Sequence, residues 1–201
     1  MRRPAISVGR RKLLLVLVLV LVPAAAIAAI SVAALRGTET RPRLGVGAPA
    51  PALAANAVRG GRVSLARLRG YVIVLSFLNS RAEATPDGDP SRAQIVFLRS
   101  MHTQHERLGL RVIVVDAAEL AGAGRPSRSD LVNYTYDWNL DPAIAVVADD
   151  GSFARRFGVE HVPTTFLIGP DGAVRERWDG FVPAAQLDLA IRGLEGRNPT
   201  D

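Results

Sequence analysis

The first strong feature of the chain is one unbroken apolar run. Residues 13–35, LLLVLVLVLVPAAAIAAISVAAL, carry no charge and are bounded by Lys12 and Arg36. A helix of that length spans about 35 Å, enough to cross the hydrocarbon core of a bilayer. Residues 36–45 are polar and rich in Gly, Pro and Arg, the composition of a linker. From residue 46 the pattern changes to short apolar runs alternating with amphipathic ones. Arg62–Leu65 is predicted as a short strand, with Ser64 capping a brief helical turn through Leu68. Tyr71–Leu78 and Leu110–Asp116 are apolar and β-branched, as buried central strands are. Between them, Ser91 is placed as the cap of a helix running to about Leu108, with Ile95, Leu98, Met101 or His102, and His105 along one face. A second helix is placed at about Ser129–Trp138, a third strand at Ala143–Ala148, and a short helix at about Ser152–Phe157. Thr164–Ile168 and Ala173–Trp178 form a hairpin around Pro170-Asp171-Gly172. Pro183 opens a closing amphipathic helix carrying Leu187, Ala190, Ile191 and Leu194. Strands alternating with helices, then a hairpin and a last helix, predict an α/β domain with a mixed sheet over residues 46–195, followed by a tail at 196–201.

Charge refines the membrane reading. The 201-residue chain has a formal net charge of +6. Arg2, Arg3, Arg10, Arg11 and Lys12 supply five of the 25 basic residues, leaving 20 against 19 acids. Outside this basic tip, residues 1–12, no basic stripe remains, so nucleic acid is not an expected partner. A basic cluster ahead of an apolar span stays in the cytoplasm, so the domain is expected outside, on a single-pass anchor in the cell membrane. A second reading stays open. Leu13–Val22, then Pro23 and Ala24-Ala25-Ala26, also fits a signal peptide with a small-residue cleavage site, which would leave the domain secreted. Arg10-Arg11 fits either a twin-arginine export signal or an ordinary positive flank.

Cysteine is absent. Its absence excludes a disulfide framework, a thiolate metal site, a cysteine nucleophile and dithiol redox chemistry by this chain alone.

Gly47-Ala48-Pro49-Ala50-Pro51, Gly61-Arg62-Val63-Ser64-Leu65, Leu68-Arg69-Gly70 and Val72–Phe77 resemble the opening of membrane-anchored thioredoxin-like proteins, the redoxins of the TlpA-type disulfide reductase family. Phe157-Gly158-Val159, the run Val162-Pro163-Thr164-Thr165-Phe166-Leu167-Ile168 and Asp171-Gly172 resemble that family's later half. The resemblance implies a thioredoxin-like fold, with a mixed central sheet flanked by helices, and thiol–disulfide oxidoreductase activity. In the family a W-C-x-x-C motif stands at the start of a helix, where the macrodipole favours a thiolate. Counted forward from the strand, Arg81 takes the place of the Trp, and Ala82 and Thr85 those of the two cysteines. The resemblance makes Pro163 the family's cis-proline. It also gives Val162 an edge that can pair with an extended peptide, so Arg81, Val162, Pro163 and Thr164 are the candidate partner-binding residues.

Other constellations are thinner. His102 and His105, three apart on a helix, could share an ion with His161 as third ligand. Against this stands one ring packed at the edge of the apolar face and the others solvated, the weightier reading, so no metal and no cofactor is expected. Asp87-Gly88-Asp89 lacks the spacing of a calcium loop and reads as a solvated turn. Ser80 and Thr85 have no nucleophile elbow around them.

The functional expectation is a non-catalytic module of this redoxin family. It would act as a protein-binding unit for an extracytoplasmic partner in envelope redox or assembly processes. The alternatives are a redoxin-class oxidoreductase working with a partner's thiols, and a histidine-based metal-binding protein.

Overall fold

In the computed structural model the chain divides at Arg41/Pro42. Residues 43–83 and 88–195 are described, all within the second unit. The apolar run 13–35 and the tail 196–201 lie outside the described residues. No helix among the described residues is long and apolar enough to cross a membrane.

Among the described residues, seven strands and four helices follow in chain order, interspersed with 3-10 turns. Strands β1 (Ala54–Asn56) and β2 (Arg62–Ser64) pair antiparallel. Strand β1 has no β-branched residue, which is why the apolar pattern did not reveal it. The main sheet contains β3 (Val72–Leu78), β4 (Leu110–Asp116), β5 (Ala145–Ala148), β6 (Thr164–Ile168) and β7 (Val174–Asp179) in the order β5-β4-β3-β6-β7. Strands β3, β4 and β5 run parallel, and β6 and β7 antiparallel. The helices are α1 (Pro90–His105), α2 (Arg128–Asp137), α3 (Ser152–Arg156) and α4 (Ala184–Glu195).

Alternation along β3 sets the layers. Val72, Val74 and Leu78 face one side, with Ile95 and Leu98 of α1, Leu131 of α2, and Leu187 and Ile191 of α4. Ile73, Leu75 and Phe77 face the other, with Leu53, Phe153, Phe157 and Phe166. All seven β3 residues are buried, because helices or loops cover both faces of the parallel core. Ser76 is the one polar residue in the strand; its hydroxyl hydrogen-bonds that of Thr165 on β6 (2.8 Å).

The first helix and its cap both stand two residues earlier than predicted. Asp89, not Ser91, is the N-cap: its carboxylate accepts from the Ser91 and Arg92 amides at 2.7 and 3.3 Å, with Pro90 in the first turn. The helix stops at His105 and continues to Leu108 only as a 3-10 turn. The second helix starts at Arg128, where Ser127 and Asp130 form a capping box. The third parallel strand starts at Ala145 rather than Ala143.

Candidate functional site

Three segments meet at the carboxyl end of β3, where open α/β sheets place their ligands. Leu78 pairs with Asp116, the last residue of β4, and Phe77 pairs with Thr164, the first residue of β6. The chain leaving β3 (Asn79–Ala82) and the segment entering β6 (Val162-Pro163) therefore emerge at the same end of the sheet. The Val162–Pro163 peptide is cis, as the resemblance implied.

The exit from β3 is held by polar contacts. The Asn79 amide donates to Ser91 Oγ (3.1 Å), tying the loop to the first turn of α1. The Ser80 amide donates to Asp116 Oδ1 (3.1 Å). Arg81 extends to Asp130 on α2 (2.9 Å), and Arg92 of α1 donates to the Ala82 carbonyl (3.2 Å) while its guanidinium lies over the Trp138 ring. A polar cavity of about 400 Å³ opens here, lined by Ser80, Arg92, Asp130, Tyr134, Asp137 and Trp138.

Asp116 is a residue that sequence reasoning missed. It is buried at 3% exposure. Burial raises its pKa above the ordinary carboxylate value, against the hydrogen bonds from the Ser80 side chain and amide and from the Ala118 amide. Burial also raises the Tyr134 hydroxyl, and the nearby Asp116 charge adds to that shift. The sequence signal was a carboxylate ending a strand that is apolar apart from Arg111, Leu110–Asp116.

The β6 side is more apolar. Register pairing of β6 stops at Thr164, opposite Phe77 and Asp179, so Val162 lies beyond both ladders and is half-buried. Thr164 Oγ1 donates to the His161 carbonyl (2.7 Å). The Pro163 carbonyl accepts from the Gly180 amide (2.8 Å), which brings the neighbouring Phe181 to this edge. Phe181 is 40% exposed and packs on Phe97 of α1, with ring centroids 5.4 Å apart.

The candidate residues thus sort by segment. Arg81 and Ala82 lie on the exit from β3, and Val162, Pro163 and Thr164 at the entry to β6. Thr85 lies outside the described residues. The three histidines do not converge. His105 Nε2 is 2.7 Å from Asp188 on α4, His161 is exposed on the approach to β6, and His102 turns toward Glu106 and Asp141. Residues three apart on a helix are offset by about 60° around its axis, enough to aim the two rings at different neighbours.

This architecture, a five-stranded mixed sheet with a helix leaving the end of β3 and a cis-proline facing that end, defines a thioredoxin-like redoxin. The AhpC/TSA family matches residues 46–177, and the chain belongs to that family. The thiol-disulfide oxidoreductase ResA of Bacillus thuringiensis subsp. konkukian is 21% identical over 137 residues, covering 68% of this chain and 71% of its own. Among solved structures, a Chlorobium tepidum protein provisionally named thiol:disulfide interchange protein DsbE is similar, with 26% identity, a TM-score of 0.63, and coverage of 76% of this chain and 99% of its own. A secreted Mycobacterium tuberculosis disulfide oxidoreductase homologous to E. coli DsbE shares the fold at 16% identity and a TM-score of 0.56, covering 71% of this chain and 96% of its own. This member of the family has no cysteine, so no thiolate can form at the start of α1.

Proposed function

We propose that this chain is a redox-inactive redoxin that holds an extended segment of a partner protein, outside the cytoplasmic membrane, with residues 13–35 as its anchor. The observation that carries the reading is a contrast within one site. Cysteine is absent from the whole chain, yet the β6 approach presents Val162 beyond its ladders beside the exposed Phe181. An unpaired strand edge supplies main-chain hydrogen bonds to an extended peptide, and a neighbouring aromatic supplies apolar contact. Neither needs a thiol. In this reading Arg81 and Ala82, on the β3 exit, flank the same peptide.

Counting back from the helix refines the vacated positions. The family's C-x-x-C stands at a helix start, and α1 starts at Pro90. In that register the pair is Gly88 and Ser91 in place of Ala82 and Thr85, and the segment between the strand and the helix is an insertion.

The test is photo-crosslinking in cells with the probe at Val162 and, separately, at Ala82, alongside insulin reduction by the purified chain. The expected result is one recurrent partner at both positions, lost on Phe181→Asp, with no insulin reduction. Turnover of insulin, or a crosslinking pattern indifferent to Phe181→Asp, overturns the proposal.

A further inference from the structure

Away from this end of the sheet, the last turn of α1 carries a buried histidine that no hydrogen bond satisfies. The His102 side chain is 2% exposed, and neither Nδ1 nor Nε2 has a hydrogen-bond partner. Buried polar groups are almost always partnered, so an orphaned imidazole needs an explanation. Its Nε2 points at two carboxylates, Glu106 Oε2 at 3.6 Å and Asp141 Oδ1 at 3.8 Å. Glu106 is one helical turn further along. Asp141 comes from the segment between α2 and β5 and is oriented by the Ala143 amide, which donates to the same Oδ1 (2.8 Å). Among the described residues no Lys or Arg side chain pairs with either carboxylate.

The spacing separates two explanations. A proton shared between imidazole and carboxylate draws the atoms to hydrogen-bonding distance. His105, three residues away on the same helix, does this with Asp188 at 2.7 Å. His102 stands about 1 Å further from both of its carboxylates. Ligand atoms about 2.1 Å from one metal ion at tetrahedral angles lie roughly 3.4 Å apart. The three atoms here all fall within 4.8 Å of one another, and the two carboxylates are 46% and 51% exposed. One imidazole and two carboxylates form a mixed nitrogen and oxygen donor set suited to a divalent transition ion such as Zn²⁺.

We infer that His102, Glu106 and Asp141 form a binding site for a divalent transition metal of the Zn²⁺ type, joining the end of α1 to the segment that precedes β5. Three protein ligands leave a fourth position, and the exposure of both carboxylates turns it toward solvent, open to water or an exogenous ligand. The buried ring fixes the site's position, and the two carboxylates neutralise the ion.

The full chain, purified in mild detergent and stripped with a chelator, is titrated with Co²⁺ and followed by its visible absorption, then back-titrated with Zn²⁺. The expected result is one Co²⁺ per chain, displaced by Zn²⁺. Affinity should fall about tenfold or more in Glu106→Gln and in Asp141→Asn, and hold in His161→Gln. Both carboxylates are half-exposed, so these variants test the site without emptying the core as His102→Ala would. Absence of saturable binding overturns the site. So does binding that survives both carboxylate changes or disappears with His161.

Discussion

Asp116 is a buried carboxylate at the end of the sheet, and burial raises its pKa above the ordinary carboxylate value. A carboxylate whose folded pKa is raised above its unfolded value contributes stability only while protonated. That contribution is complete below about pH 3.8 and is lost as pH rises through the raised folded value. Asp188 has the opposite sign. Hydrogen bonds from Arg192 and His105 lower its pKa, so its contribution is present above its unfolded value and is lost as pH falls through the lower folded one. The two can be separated by Asp116→Asn. Urea unfolding from pH 3 to pH 7 should show the stability difference between variant and parent moving steadily in the variant's favour as pH rises. A flat difference would mean that the Asp116 carboxylate is not perturbed. Asp116→Ala removes the acceptor for the Ser80 and Ala118 amides, and should cost about 1–3 kcal/mol. Sequence reasoning could not reach this residue, because an aspartate closing a strand commonly marks a loop. Its burial depends on Ser80, 36 positions earlier. His102 shows the same limit. The turn-spaced His102 and Glu106 are visible in the sequence, but Asp141 joins them only through the fold.

At the scale of elements, the strands were the most legible part of the chain and the start of α1 the least. Strands β3 and β4 are runs of β-branched and large apolar residues interrupted only by Ser76, Arg111 and the closing Asp116, so their type and limits follow almost directly. The start of α1 lies where three good capping residues, Asp87, Asp89 and Ser91, follow one another. Pro90 decides between them, since proline is favoured just inside a helix and its neighbour then caps it. Two measurements follow. Asp89→Ala removes a side chain that accepts from two amides and should cost about 1 kcal/mol of stability, read by urea unfolding. A pair of cysteines tests the register. Gly88 and Ser91 straddle the N-cap, a span of one turn, which suits the roughly 5.5 Å between bridged Cα atoms. Gly88→Cys/Ser91→Cys should therefore close in air more completely than Ala82→Cys/Thr85→Cys, as read by thiol titration. Gly88 has a φ of 76°, so the reduced pair should also be less stable than the parent. Faster closure of the Ala82 and Thr85 pair would restore the strand-based count. The cis-proline was legible only through the resemblance, because nothing local to Val162-Pro163 selects that isomer.

Over the whole molecule the charge is divided in a way that bears on location. Five basic residues precede the apolar run, while the remaining 20 basic and 19 acidic residues nearly cancel. In the reading proposed above, a near-neutral domain behind a basic tip and a 23-residue apolar stretch leaves the tip in the cytoplasm and the rest exported. Two fates for the stretch give different molecules. If it spans the bilayer uncleaved, the chain should stay with the membrane pellet through alkaline carbonate and keep its full mass of 21.5 kDa, and deleting residues 2–35 should leave it in the soluble fraction. If instead it is a signal peptide, the mature chain should begin after the Ala24–Ala26 cluster, lighter by roughly 26 residues, and be soluble without any deletion. The uncleaved form is expected, because the apolar run continues nine residues past Ala26, to Leu35, far beyond the 7–15 residues that a cleavable core requires. The outcome also sets how a partner is met. An anchored chain searches a two-dimensional surface for other envelope proteins, so modest affinity at the Val162 edge would suffice at the high local concentration that tethering provides.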